Sequence, residues 1–203
     1  MKSNVALATL AVTLGLLAAA RPGRAQAAAA GHTLPAADIS FTYSGLRANA
    51  PVGNCGCFWM RGGTGELAVP VWRQVALVAE VSGERKNNLP GAPGIGLSLA
   101  SAMGGVRLSH PFRHRWKPFA QGVFGIVHGF DGYFPGAAGP SGAATSFAMA
   151  AGLGLDVKVA RHWSLRPIQA EYQYMQLPNN ALNPANQQHD VRLSAGVVFR
   201  FTR

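Results

Sequence analysis

The sequence predicts an all-β protein, an eight-stranded antiparallel up-and-down transmembrane β-barrel, and three observations lead to it. The first is Asp190–Phe201 (DVRLSAGVVFRF), where Val191, Leu193, Ala195, Val197, Phe199 and Phe201 alternate with Asp190, Arg192, Ser194, Gly196, Val198 and Arg200. A period of two residues, apolar against mostly polar, marks a strand with two unlike faces. The second is an export signal at the N-terminus. The third is that no later apolar run reaches the ~20 residues a spanning helix needs. Lipid offers backbone groups no hydrogen-bond partners, so an exported apolar chain without such a helix meets a membrane as a closed barrel.

Residues 1–26 read as a cleaved signal peptide. Lys2 supplies the positive start, residues 5–20 (VALATLAVTLGLLAAA) the apolar segment, and Ala25, Gln26 and Ala27 the small-residue cleavage site. Cleavage removes Lys2, Arg21 and Arg24 and no acid, which lowers the formal charge from +10 to +7. Residues 27–36 are expected to form a flexible leader and 37–203 the barrel domain. The chain is 48% hydrophobic and only 13% charged, and its 25 glycines disfavour a helical bundle. The cations are spread singly, without interleaved stacking aromatics, so nucleic acid is excluded as a partner. Anionic lipid or cell-wall polymer suits a basic envelope protein better.

The strands follow in order. Asp38–Gly45 alternates Ile39, Phe41 and Tyr43 with Asp38, Ser40, Thr42 and Ser44, and Leu46–Cys57 reads as a loop. Met60–Val69 sets Leu67 and Val69 against Thr64 and Glu66; after a turn at Pro70–Arg73, Gln74–Ser82 sets Leu77 and Val81 against Val78 and Glu80. Gly83–Gly94 reads as a second long loop. Ile95–Ser109 is a fourth strand with Arg107 on its polar face, and His110–Pro118 a turn. Phe119–Gly129 is a fifth strand whose facing is ambiguous, with Gln121 placing its own parity inside, and Phe130–Ala144 is a third long loop. In the sixth, Phe147, Met149, Ala151, Leu153, Leu155 and Val157 alternate with Ala148, Ala150, Gly152, Gly154 and Asp156. The seventh, after Ala160–Trp163, turns Ile168, Ala170, Tyr172 and Tyr174 outward and Gln169, Glu171 and Gln173 inward. Leu177–His189 is the last long loop before the closing strand.

Connections thus alternate long and short, as in an outer-membrane barrel with short periplasmic turns and longer external loops. Trp72, Trp116 and Trp163 fall one in each short turn, and indole rings favour the headgroup region, so they are expected to form an interface girdle.

At this point the chain resembles the small bacterial outer-membrane β-barrel family, OmpA/OmpX-like and of the type found in soil acidobacteria. The resembling segments are NCGCFWMRGGTGE at Asn54–Glu66, PFAQGVFGIVHG at Pro118–Gly129, FAMAAGLGLDVKV at Phe147–Val159, WSLRPIQAEYQY at Trp163–Tyr174 and RLSAGVVFRF at Arg192–Phe201. The resemblance implies that Val197, Phe199 and Phe201 carry the signal read by the barrel assembly machinery, with Thr202 and Arg203 following it. Nothing is expected to follow the barrel, so the peptidoglycan-binding domain of larger relatives is expected to be absent.

Few residues point to chemistry. Cys55 and Cys57 are the only cysteines; a local disulfide clip is the expectation, ahead of a redox pair or a half-built metal site. Glu66, Glu80, Asp156 and Glu171 with Arg107, Arg192 and also Arg166 lie on polar parities, and are expected to pair into a charge ladder that plugs the lumen. Paired carboxylates could serve a hydrolase, but no nucleophile stands at a recognisable spacing. His128 and Asp131 are the pair that an enzyme of the lipid envelope would use, although His128-Gly129-Phe130 departs from the His-x-Ser pattern of lipid A deacylases. The basic turn His110, Arg113, His114, Arg115 and Lys117 reads as solvated. No catalytic residue, cofactor or metal is expected.

The reading is a non-enzymatic, monomeric protein of the cell outer membrane. It touches lipid and lipopolysaccharide and supports envelope integrity or surface interactions through its external loops. The alternatives are a lipid-modifying enzyme, a narrow porin-like channel and a soluble carrier. A carrier would turn Leu77, Leu153, Leu193 and Phe199 inward and Glu80, Glu171 and Arg192 outward.

Overall fold

The computed structural model describes residues 37–48, 57–89, 94–112, 115–135, 139–178 and 187–201. The expected signal peptide, the leader, Cys55, Arg113 and His114 lie outside the described residues.

Eight antiparallel strands close into one barrel, each bonded to its neighbours in sequence and the first to the last. They are β1 (Ala37–Ala48), β2 (Phe58–Trp72), β3 (Val75–Lys86), β4 (Leu97–Ser109), β5 (Trp116–Phe130), β6 (Ala144–Lys158), β7 (Trp163–Met175) and β8 (Gln188–Phe201). Closure is made by the β1/β8 ladder, which runs from Ala37 opposite Phe201 to Arg47 opposite Val191. With no edge strand left, each strand is paired with a neighbour on both sides. One end of the barrel carries the turns after β2, β4 and β6; the other carries the longer connections.

Side chains obey the alternation. Leu77, Leu153 and Leu193 stand on the outer surface, Leu153 at 66% exposure, and Phe199 leans on Trp163 on the same side. Glu80, Glu171 and Arg192 are buried at 1%, 2% and 0%. This is the reverse of what the carrier requires.

Several strands run past their expected ends. β1 continues through Leu46 and Ala48, both buried, where a loop is expected from Leu46. β3 continues to Lys86 and carries Glu84 into the interior, where a loop is expected from Gly83. In each case the period of two continues unbroken, so sheet pairing outweighs the local glycine. Trp72, Trp116 and Trp163 sit on strand ends and not in the turns: Trp72 closes β2, and Trp116 and Trp163 open β5 and β7.

The ambiguous β5 resolves with Phe119, Gln121, Val123 and Val127 inward and Phe124, Ile126 and His128 outward. Both its parities are apolar because the interior is layered. Toward the loop end it is an apolar core that includes Leu46, Met60, Leu99, Val127, Phe134 and Met175. Phe134 belongs to the connection after β5, where it is tied to Ser141 by two backbone bonds of 2.9 Å. The middle and the turn end are polar and charged.

One irregularity matters for the interior. β7 shifts register between Arg166 and Gln169, so Pro167 and Ile168 both face outward while Arg166 and Gln169 both face inward. An extra residue on one strand of a pair is a bulge, and it re-aims the side chains on either side.

Candidate functional site

The sequence has eight acidic residues. Seven are buried: Asp38, Glu66, Glu80, Glu84, Asp156, Glu171 and Asp190. They share the interior with the buried Arg107, Arg166 and Arg192, and with the half-buried Lys117 and Arg200 at the turn end.

Strand register sets the first contacts. Glu66 lies directly opposite Glu80, Arg107 opposite Gln121, and Glu171 opposite Arg192. Two carboxylates placed side by side need cations from elsewhere, and these cross the lumen. Glu66 accepts from Arg107 Nη2 at 2.6 Å, from Arg166 Nη1, from Ser40 Oγ at 2.8 Å, from Gln169 Nε2 at 3.1 Å and from Gln121 Nε2 at 3.2 Å. Glu80 accepts from Arg192 Nη2. Arg192 also donates from Nε to Glu171 at 2.8 Å, and its Nη1 lies 3.5 Å from Glu84. Gln121 ties the groups together: its amide nitrogen lies 3.2, 3.3 and 2.8 Å from Glu66, Glu80 and Glu171, and its carbonyl accepts from Arg107 Nε at 2.9 Å.

Phe119 is wedged into this polar layer. Arg107 and Arg166 lie 4.2 and 4.6 Å from its ring centroid, so each guanidinium meets a π face as well as carboxylates. Arg166 donates further from Nε to Asp156 at 2.8 Å. At the turn end Asp38 takes Arg200 at 2.9 Å and Lys117 at 3.4 Å. Lys117, expected to be solvated in its turn, is therefore paired inside the barrel mouth. The first and last strands are joined here by charge as well as by backbone, since Asp38 and Arg200 are register partners.

The structure brings together Glu66, Glu80, Arg107, Asp156, Glu171, Arg192 and Arg166. The sequence reading missed Glu84, although Glu80, Ser82 and Glu84 share one parity. It also missed Gln169 as a partner of Glu66 and Phe119 as the ring between two arginines.

Other candidates are not assembled. His128 faces outward with Nδ1 2.7 Å from Thr145 Oγ1, while Asp131 accepts from Ser98 Oγ at 3.2 Å; no bond joins His128 to Asp131. Cys57 is exposed just before β2. No group of three or more metal-ligating side chains occurs among the described residues.

On the outer wall, Trp72, Trp116 and Trp163 are exposed at the turn end. Trp163 meets Phe199 edge-on at 4.9 Å, and Phe199 meets Phe201 at 4.7 Å. Val197, Phe199 and Phe201 are register partners of Phe41, Ile39 and Ala37. A second set of exposed aromatics, Trp59, Phe130, Tyr133 and Tyr172, stands toward the loop end.

Fold and interior together define a small closed barrel, apolar outside and ion-paired within. Solved structures similar to it include neisserial surface protein A (NspA), at a TM-score of 0.62 and 13% identity over 82% of this chain and 97% of that one. Ail, the attachment invasion locus protein of Yersinia pestis, matches at 0.52 and 15% over 83% of this chain and 100% of that one. Ail in complex with the heparin analogue sucrose octasulfate matches at 0.54 and 16% over 81% and 97%. At such identities the likeness is one of fold. No family model and no curated protein matches the chain.

Proposed function

We propose that this chain is exported through a cleaved signal peptide at residues 1–26 and folds in the bacterial outer membrane as a monomeric, non-enzymatic barrel. Its lumen is closed by paired charges, and its loops serve envelope integrity or surface interactions. The observation that carries the reading is the inversion of its faces. Side chains such as Phe41, Leu77, Phe124, Ile126 and Leu153 are bare on the outside, while seven of the eight acids are inside. Water outside would reverse that arrangement; acyl chains require it.

The dimensions agree. A 12-residue strand such as β1, rising about 3.3 Å per residue and tilted about 40°, spans about 30 Å, close to the hydrocarbon thickness of a bilayer. Aromatics at both ends suit two interfaces, with Trp72, Trp116 and Trp163 on the periplasmic one. The fold likeness to NspA, a surface protein, and to Ail, an attachment invasion locus protein, supports a place at the cell surface, and Val197, Phe199 and Phe201 on β8 suit recognition by the barrel assembly machinery.

The test is fractionation combined with gel migration. The chain is expected in the outer-membrane fraction, requiring detergent for extraction and migrating faster unheated than boiled. A chain that stays soluble and monomeric without detergent overturns the proposal.

A further inference from the structure

We propose that the outer wall of β1–β3 at the loop end binds a phosphorylated, acylated lipid, with Arg61 and Arg85 holding the phosphate and an acyl chain lying on the glycines below. The inference rests on the membrane reading and assigns one lipid contact within it.

Arg61 and Arg85 are exposed, outward-facing and directly opposite one another in the β2/β3 ladder. Like charges at opposed positions repel, so the sheet alone does not favour the pair. Arg47 stands outward beside them on β1, opposite Trp59, and Lys86 follows Arg85. Among the described residues none of Arg47, Arg61 and Arg85 forms an ion pair; Arg85 donates from Nε to Asn87 Oδ1 at 3.0 Å. Of the acids, seven are buried and the eighth, Asp131, is bonded to Ser98, the register partner of Arg85. The rim therefore carries a concentrated positive charge that the chain's own carboxylates leave largely unmatched.

The surface around the pair is concave. Trp59, Arg61, Arg85, Lys86, Asn87 and Asn88 line a cleft of about 520 Å³. Toward the middle of the barrel, a groove of about 380 Å³ runs over Gly63, Gly65 and Gly83 between Phe41 and Val81. These glycines are not forced by the sheet. A Cβ on Gly63 would meet only the Thr42 carbonyl oxygen at 3.4 Å, and one on Gly83 only that of Leu99 at 4.0 Å. The inward Gly62 differs, since its Cβ would collide with the Gly83 backbone. Bare backbone on the lipid side thus leaves an open trough between Phe41 and Val81. Guanidinium forks hold phosphate oxygens in pairs, and the exposed Trp59 indole, beside the bare Gly45, marks headgroup depth. Two guanidiniums above an apolar trough complement an anionic head with a tail.

The test is native mass spectrometry of the full chain folded in detergent, titrated with bisphosphorylated lipid A, with dephosphorylated lipid A and with inorganic phosphate. The expected result is a lipid A adduct that the dephosphorylated lipid forms more weakly and that inorganic phosphate does not displace. Arg61→Gln with Arg85→Gln weakens it about tenfold or more, as losing charge-assisted bonds would. Gly63→Leu, which fills the trough, weakens it too, and Arg161→Gln at the turn end leaves it unchanged. Equal lipid A binding by the double variant, or displacement by inorganic phosphate, overturns the inference. Heat-modifiable migration of each protein separates the two failures. A parent chain that does not migrate as a membrane barrel sinks the membrane reading along with this one, whereas folded variants with undiminished lipid binding sink this one alone.

Discussion

Glu66 and Glu80 stand directly opposite each other on neighbouring strands, both buried, and each is met by arginine reaching from another part of the barrel wall, Glu66 by two and Glu80 by one that it shares with Glu171 and Glu84. A local sheet contact that repels is thereby converted into contacts joining strands that are not neighbours. Arg107 comes from β4 and Arg166 from β7 to meet Glu66 on β2, and Arg192 comes from β8 to meet Glu80 on β3. Burying charge is costly, and a paired group is worth most when its partner would otherwise be stranded.

Glu66→Ala takes away the carboxylate paired with buried Arg107 and one of the two paired with buried Arg166. The expected loss is about 3–5 kcal/mol, the usual cost of breaking a buried pair from one side. Glu66→Gln keeps acceptor and shape and should lose less. Urea unfolding of the protein in lipid vesicles measures both. A change for Glu66→Ala within about 0.5 kcal/mol, the range of an ordinary surface substitution, would refute the hub role.

The bulge at Pro167 and Ile168 leads to a sharper pair of outcomes. Deleting Ile168 leaves Arg166 and Gln169 two positions apart, both still inward, so the barrel should fold. Deleting Leu165 instead lets the strand close its bulge by turning Arg166 to the outer wall and Pro167 to the interior. That places a guanidinium in lipid and removes a partner of Glu66 and Asp156, so heat-modifiable folding should disappear. Equal behaviour of the two deletions would contradict the facing of β7.

How much of this was legible in the sequence depended on the layer. Where the interior is polar, as along Asp38, Ser40, Thr42 and Ser44 or along Gln169, Glu171 and Gln173, alternation alone assigns the faces. Where apolar side chains also face inward, as Phe119, Val123 and Val127 do, they cannot be told from Phe124 and Ile126 outside, and β5 stayed ambiguous. Glu84 was missed because Gly83 reads as a loop start, although its parity with Glu80 was visible. The joining of Glu66 to Arg166 was not legible, because it depends on curvature that brings β2 and β7 within reach across the lumen.

The medium on each face can be read directly. With Cys55 and Cys57 replaced by serine, an environment-sensitive fluorophore attached at Leu153→Cys or Leu193→Cys should be quenched by bromine carried on acyl chains. The same label at exposed Gly142→Cys, in the connection before β6, should respond to an aqueous quencher instead. Aqueous quenching at Leu153 and Leu193 would remove the bilayer from the account.

Phe134 tests whether the two interior layers act separately. Its ring packs where Gly129, at an inward position of β5, leaves no side chain, and a Cβ there would collide with it. Phe134→Ala should therefore cost about 3–5 kcal/mol, the usual range for emptying an aromatic site, and Gly129→Val should expel the same ring. Neither change reaches the layer of Glu66, Gln121 and Arg192 deeper in the barrel, the layer that the proposed function makes the closure of the lumen. Planar-bilayer conductance should thus stay at the parent level in both variants even as stability falls. A current that rises when Phe134 is removed would mean that the apolar layer, and not the charged one, closes the lumen.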